Sequence, residues 1–88
     1  MRRTDYNLVA IGLAQALNEC RTEPVSGVVL AIDAMCEVLE RDNRNFNPVL
    51  MIETIELYTL FPVLDRASDK LNKLKDKYNA AVQEVGVF

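Results

Sequence analysis

Apolar side chains recur at intervals of three and four residues in four segments of the chain. This spacing places them on one side of an α-helix in each segment. The stretch from Ile52 to Leu57 resembles a strand, but an isolated strand would have no pairing partner. The valine-rich start of the second segment also resembles a strand, but it lacks the alternation of apolar and polar residues that a strand shows. The pattern therefore predicts a small all-α domain of four helices, near residues 5–20, 24–42, 48–60 and 62–85.

The boundary between the second and third helices carries the clearest local signal. Asn47 is a preferred N-cap residue, and Pro48 suits the first helical position, where its missing N–H leaves no hydrogen bond unmade. Phe46 and Met51 flank the cap with the spacing of a hydrophobic staple. The third helix is therefore predicted to begin at Pro48.

The other helix ends carry weaker signals. Thr4 is expected to cap the first helix, and Asn43 is expected to end the second helix in the left-handed conformation that asparagine tolerates. Pro62 interrupts the chain between the third and fourth helices. The second helix has one broad apolar face, so it is expected to be the central helix of the core.

The fourth segment carries a narrow heptad pattern, which we call the seam. The seam residues are Leu64, Ala67, Leu71, Leu74, Tyr78, Ala81 and Val85. A helix from Pro62 to Val85 would be about 36 Å long, which exceeds the width of a domain of this size. Residues 1–61 are therefore expected to form a three-helix core. Residues 62–88 are expected to form a partly projecting helix, either within the same domain or as a dimerisation arm.

A narrow seam is typical of a contact between two helices. The candidate interface residues are Leu64, Leu71, Leu74 and Tyr78 on the seam, with Lys70 and Lys77 on its flanks. The two lysines would meet acidic residues of a partner helix, most simply in a homodimer. In the alternative arrangement, the helix folds back along the first two helices and satisfies the seam and its charges within one chain.

The net charge of −3 is unevenly distributed along the chain. Residues 4–61 hold nine acidic residues against three arginines, whereas residues 62–88 hold every lysine and a balance of +1. An acidic body lacks the basic surface that phosphate binding needs, so nucleic acid is disfavoured as a partner.

The second and third helices have lengths suited to a helix-turn-helix, but the third offers acidic residues and threonines rather than Arg, Lys or Gln.

The two cysteines, Cys20 and Cys36, each lie on an apolar helical face, where a free cysteine behaves as a small hydrophobic residue. In a hairpin of the first two helices they would be separated by about 15 Å along the helix axes. That separation is beyond the reach of a disulfide. We expect both thiols to be buried and reduced, and the protein to be cytoplasmic.

The start of the chain imitates a signal peptide, because Arg2 and Arg3 precede the apolar run Leu8–Ala14. Asp5 lies within the basic region, however, and the apolar run is short. The segment is therefore expected to be the first helix. No apolar stretch approaches the ~20 residues of a membrane span, so a membrane is not an expected partner.

No residue pattern indicates catalysis or a cofactor. The chain contains no His, which is the commonest general base and metal ligand, and no Gly-rich phosphate loop. Glu53 and Glu56 lie one helical turn apart and, with Glu37 or Glu40, would offer carboxylates to a divalent cation. A solvated helix face explains the same residues. We therefore predict that the chain is not an enzyme and has no catalytic, cofactor-binding or metal-binding residues.

Two short patterns, DY-x-h-h-A and L-x-x-D-N-x-x-F (h, apolar), are found between Asp5 and Phe46. They are formed by Asp5-Tyr6 with Leu8-Val9-Ala10, and by Leu39 with Asp42-Asn43 and Phe46. Over residues 3–51 the chain resembles small uncharacterised proteins of temperate phages and prophages. It departs from their pattern at Arg44-Asn45, where they have Pro-Arg, and at Cys36, where they favour Ala. The resemblance implies a helical fold and a phage-like source, and it implies no activity.

Binding to protein is the function that this sequence favours. The third helix and the seam together carry more apolar surface than a four-helix monomer of this size easily buries. We expect a phage-type protein that binds a host or phage protein, itself as a homodimer, or both. By analogy it would be a stoichiometric inhibitor of a host protein, such as an anti-CRISPR-like inhibitor of a defence system. The alternatives are a self-associating phage structural or assembly protein and a helix-turn-helix-like, DNA-associated regulator.

Overall fold

Four α-helices make up the part of the chain that the structure describes. A computed structural model describes residues 2–85, and the side chains of residues 2–79. The helices are α1 (Arg3–Asn18), α2 (Ser26–Asp42), α3 (Pro48–Tyr58) and α4 (Val63–Val85), and the described residues include no strand. The predicted all-α fold with a long C-terminal helix is confirmed.

The central helix is α3, which packs against both α1 and α4. By comparison, α2 makes smaller contacts with each of the other three helices. The prediction that the second helix is central is therefore wrong. The physical reason is that its apolar residues are spread over two sides, of which only one faces the core. The buried residues of α2 are Val29, Ile32, Cys36 and Leu39.

One continuous apolar core joins all four helices. Its fully buried side chains include Leu17 from α1, Ile32 from α2, Ile52 and Ile55 from α3, and Leu71 from α4. Complete burial of an aliphatic side chain of this size contributes about 1.5–3 kcal/mol. Because α4 supplies residues to the same core, its first four turns belong to the domain rather than to a separate arm.

The start of α3 is capped as predicted. The side-chain oxygen of Asn47 accepts a hydrogen bond from the Leu50 N–H at 3.2 Å, and Pro48 occupies the first helical position. Phe46 and Met51, on either side of the cap, are both buried. The local signal in the sequence therefore located this boundary to the residue.

The start of α1 differs from the prediction of a Thr4 cap. The helix begins at Arg3, and the Arg2 N–H donates to a carboxylate oxygen of Asp5 at 2.8 Å. The acidic side chain in the first turn thus satisfies a backbone donor just before the helix. Thr4 lies inside the helix instead of ahead of it.

Asn43 ends α2 in an extended conformation, with φ at −143°, and not in the predicted left-handed one. Its side chain explains the difference, because both of its polar atoms are engaged. The side-chain oxygen accepts the Asn45 N–H at 3.0 Å, and the amide donates to the Tyr6 hydroxyl at 2.9 Å. Asn43 therefore connects the loop after α2 to the first turns of α1.

Both cysteines are buried and free, as the sequence predicted. Burial raises the pKa of the Cys36 thiol to about 12, and the negative charges of Asp33 and Glu40 act in the same direction. The thiol of Cys20 donates to the carbonyl oxygen of Ala16 at 3.5 Å. Both residues thus serve as small core side chains.

Candidate protein-binding surface

The seam of α4 lies inside the domain. The described seam residues are Leu64, Ala67, Leu71, Leu74 and Tyr78; all of them are buried except Leu64, which is partly buried. The last two seam positions, Ala81 and Val85, lie outside the residues whose side chains are described. A narrow seam can pack in the groove between two helices of the same chain as well as against a single partner helix. Here it packs on α2 and α3. The expectation of an exposed interface on the seam is therefore corrected.

Lys77, on the flank of the seam, finds its acidic partners within the same chain. Its Nζ lies 3.1 Å from an oxygen of Asp33 and 3.0 Å from an oxygen of Glu37, both on α2. These two bonds raise the pKa of Lys77. Lys70 is exposed and lines a cleft between α4 and the first turns of α2. The acidic helix that the fourth helix was expected to meet is thus α2.

Tyr78 and Asp33 form the most enclosed polar contact between α2 and α4. The Tyr78 hydroxyl lies 2.6 Å from a carboxylate oxygen of Asp33 and donates to it, and burial together with this bond raises the pKa of Tyr78. Burial would raise the pKa of Asp33 as well, but the hydrogen bonds from Tyr78 and Lys77 outweigh that effect and lower it. The contact is therefore made by the ionised carboxylate.

A group of exposed apolar side chains lies along α3 and the loop that follows it. Leu57, Tyr58, Leu60 and Phe61 are 79%, 48%, 66% and 77% exposed, and Leu50 is 51% exposed. Leu50 and Leu57 are seven residues apart and therefore lie on the same side of the helix. We call these five residues the α3 surface. Exposed apolar side chains grouped in this way mark interaction sites.

Asn18, at the end of α1, holds the chain at the end of α3. Its side-chain oxygen accepts the Leu60 N–H at 2.7 Å, and its amide donates to the Tyr58 carbonyl at 3.2 Å. A single side chain thus bonds two backbone groups on either side of Thr59. The backbone that carries Tyr58 and Leu60 is thereby fixed to α1.

α3 ends at Tyr58, two residues before the predicted end, and the next residue is Thr59. Its backbone is extended, with ψ at 130°, and its buried hydroxyl donates to the Ile55 carbonyl at 2.6 Å. Successive side chains on extended backbone point to opposite sides. Because Thr59 points inward, Tyr58 and Leu60 on either side of it are exposed.

A cavity of about 400 Å³ adjoins the α3 surface, between the first turns of α1 and α3. The rings of Tyr6 and Phe46, 5.1 Å apart, form part of its wall, and Arg3 is the one charged residue among the described residues that line it. Leu50 belongs both to this lining and to the α3 surface. The cavity is large enough to accept a side chain of a bound protein.

The carboxylates weighed as a cation site are not gathered at one place. Glu56 pairs with Lys75 at 2.8 Å, Glu37 pairs with Lys77, and Glu53 is exposed. Among the described residues, no group of three or more His, Cys, Asp or Glu side chains is placed to hold a metal ion. These acidic residues lie on solvated or ion-paired helix faces.

A second exposed apolar group, on α2, was missed by reasoning from the sequence. We call it the outer stripe, and it consists of Gly27, Leu30, Ala31, Ala34, Met35 and Val38. Leu30, Val38 and Met35 are 69%, 51% and 38% exposed. A signal was available, because the exposed positions 30, 34 and 38 recur every four residues beside the core line of the same helix.

No protein-family model matches the chain, no curated protein is significantly similar to it, and no solved structure matches it. None of the helices within the described part of the chain is both long and apolar enough to cross a membrane.

Proposed function

We propose that this chain is a non-catalytic protein-binding domain whose partner docks on the α3 surface. The observation that carries the proposal is the exposure of Leu57, Leu60 and Phe61, each between 66% and 79%. Large apolar side chains that remain in water do not stabilise the monomer. When a partner covers them, the burial of their apolar surface contributes to the free energy of binding. Of the large apolar residues of α3 that are not part of the α3 surface, Met51, Ile52 and Ile55 are buried in the core.

The composition of the α3 surface suits a binding site. Phe61 and Tyr58 are aromatic, and aromatic residues dominate the energetic centres of protein interfaces. Burial of apolar surface contributes about 25 cal/mol per Å². Because Asn18 and Thr59 already fix the backbone beneath these side chains, less conformational freedom is lost when a partner binds.

The proposed role is that of a stoichiometric inhibitor that occupies a protein of the bacterial host, such as a component of a defence system. The support is the resemblance of residues 3–51 to phage proteins, which is an analogy. A chain of 88 residues without His would act by occupying a surface rather than by chemistry. The buried, free cysteines agree with action in the cytoplasm, where thiols stay reduced.

A phage assembly or scaffold protein is the second candidate. It is favoured by the outer stripe of α2, which gives the chain an apolar surface in addition to the α3 surface. A protein with two such surfaces can contact two neighbours at once, as assembly requires. A DNA-associated role has less support, because the exposed side chains of α3 are apolar or acidic.

Capture of the partner tests the proposal. The tagged protein is produced in phage-infected bacteria, and the co-purified proteins are identified and quantified by mass spectrometry. We expect one stoichiometric host protein, and we expect Phe61→Glu to abolish its capture. Leu8→Glu is the matched control, because Leu8 is a similarly exposed apolar residue, at 67%, on α1.

The outcomes separate the candidates. Capture of phage proteins in place of a host protein supports assembly. Loss of the partner with both variants shows non-specific adhesion of apolar side chains and contradicts the proposal. Full capture by Phe61→Glu contradicts it equally.

A further inference from the structure

The cavity beside the α3 surface lies between two helix faces that have the same residue spacing. It is lined by positions 3, 6, 7 and 10 of α1, and by positions 47, 50, 51 and 54 of α3 and its N-cap. Both sets follow the i, i+3, i+4, i+7 spacing that places side chains on one side of a helix. The loop between α2 and α3 adds positions 43, 45 and 46. The volume of about 400 Å³ lies in the range of ligand sites, roughly 300–1,000 Å³.

Part of the cavity wall is apolar. Ala10, Phe46 and Met51 line it and are all buried in the core. The Tyr6 ring lies beside that of Phe46, and aromatic rings pack well against a further ring at their faces and edges. An apolar group of a ligand would lose its contact with water against this wall. The wall therefore suits an aromatic or aliphatic group.

Two hydrogen-bond donors of the lining have no acceptor among the described residues. The Asn43 side-chain oxygen accepts the Asn45 N–H, so its amide nitrogen is the group that donates to the Tyr6 hydroxyl. The hydroxyl oxygen is the acceptor in that bond, and its own hydrogen is left over. The Asn47 side-chain oxygen accepts the Leu50 N–H, which leaves its amide hydrogens. The Tyr6 hydroxyl and the Asn47 amide are therefore available to a ligand.

The charge of the lining favours an anion. Arg3 is its one charged residue, and it takes part in none of the ion pairs of the described residues. No described acidic side chain lines the cavity, although residues 4–61 hold nine acids. Arg3 and Tyr6 lie one turn apart on the same side of α1. A guanidinium binds a carboxylate through two parallel hydrogen bonds, so the lining offers a carboxylate one cation and two further donors.

We propose that this cavity binds a carboxylate that is carried by an apolar group. The carboxylate pairs with Arg3 and accepts hydrogen bonds from the Tyr6 hydroxyl and the Asn47 amide. The apolar group lies against Phe46 and Met51. Two kinds of molecule have this chemistry, a free aromatic acid and a peptide whose C-terminal residue is apolar. The site is distinct from the α3 surface, because it recognises a small anionic group and not a wide apolar one.

Titration of the purified protein with phenylacetate, followed by two-dimensional amide NMR spectra, tests the chemical class of the ligand. We expect the backbone amide signals of the lining residues to shift, with a dissociation constant in the millimolar range for so small a ligand. Uncharged phenylacetamide should bind at least about tenfold more weakly, because it cannot form the charge-assisted bonds. Equal binding of the two compounds, shifts confined to other residues, or no shifts at all would overturn the proposal.

Two variants test the role of Arg3. Arg3→Gln should weaken phenylacetate binding by at least about tenfold. Asn7→Asp should weaken it as well, because it adds a carboxylate to the lining one turn from Arg3. Positions 3 and 7 are exposed, so both variants stay folded.

Arg21→Gln is the matched control, because it removes the same charge from an exposed position beyond the opposite end of α1. It should bind phenylacetate as the wild type does. Equal weakening by Arg3→Gln and Arg21→Gln would show an effect of net charge alone and contradict the proposal. Unchanged binding by Arg3→Gln would contradict it too.

A tripeptide of two glycines and a C-terminal phenylalanine distinguishes the two sources of the carboxylate. Tighter binding of the tripeptide than of phenylacetate supports the C-terminus of a protein as the ligand, whereas tighter binding of phenylacetate supports a free acid. In either case the tripeptide with an amidated C-terminus should bind at least about tenfold more weakly than the free form. Equal binding of the amidated and free tripeptides would overturn recognition of a carboxylate.

Discussion

The seam of α4 and the α3 surface are both rich in leucine, yet they have opposite environments. Leu71 on the seam is completely buried, whereas Leu57 is 79% exposed. The seam is a narrow apolar line on an otherwise polar helix, so a single groove between α2 and α3 covers it. Apolar side chains surround α3, and the helices beside it cover only part of its circumference. Apolar residues distributed around most of a helix therefore predict exposed apolar side chains better than a regular heptad pattern does.

Substitution of each of these two leucines by alanine should give the largest difference in unfolding free energy between the two regions. Leu71→Ala creates a cavity in the core and should lower the free energy of unfolding by about 2–5 kcal/mol. Leu57→Ala removes the same atoms from an exposed position and should change it by less than about 0.5 kcal/mol. Urea denaturation followed by circular dichroism measures both values. Similar losses in the two variants would show that Leu57 is packed in solution.

A smaller effect is expected at the start of α3. Asn47→Ala removes the cap that accepts the Leu50 N–H and should cost about 0.5–2 kcal/mol. Asn45→Ala is the matched control, since the Asn45 side chain is exposed and only its backbone is bonded. Thermal unfolding compares the two. Equal stability of both variants would show that another residue caps the helix.

The Asp33 contact should give a modest effect that depends on pH. Asp33→Asn should cost about 1 kcal/mol at neutral pH, because it weakens bonds from Tyr78 and Lys77. The pKa of Asp33 in the folded state is lowered from its ordinary value of 3.8. Its contribution is therefore complete well above pH 3.8 and is lost as the pH falls through the folded-state pKa.

The difference in unfolding free energy between the wild type and Asp33→Asn should thus be constant near neutral pH and shrink in acid. Asp69→Asn, at an exposed position of α4, is the control and should show neither effect. A difference that grows as the pH falls would contradict the lowered pKa.

The helices were predictable from the sequence because their signals are local. The period of the apolar residues located all four helices, and Asn47 with Pro48 located the start of α3. The end of α3 was not predictable, because it depends on Asn18, which is distant in sequence and bonds the backbone of Tyr58 and Leu60. The local sequence carries no information about which side chain of another helix will bond to that segment.

The candidate surface was only partly predictable. The excess of apolar residues on the third helix indicated a binding role, but the pattern alone does not show which of them α1 and α4 cover. The seam was expected at an interface but lies in the core, because a narrow apolar stripe suits a groove in the same chain as well as a partner helix. The outer stripe of α2 was missed because the second helix was expected to have a single broad apolar face, and because Ala31 and Ala34 are small.

The most direct test compares binding with stability in two variants of the same protein. Phe61→Glu should retain the unfolding temperature of the wild type and lose the captured partner. Leu71→Ala should unfold at a lower temperature and still bind the partner when the assay is run well below that temperature. Calorimetric titration of each variant with the purified partner measures this directly. Wild-type affinity of Phe61→Glu, or loss of binding by a folded Leu71→Ala alone, would contradict the assignment of the α3 surface as the binding site.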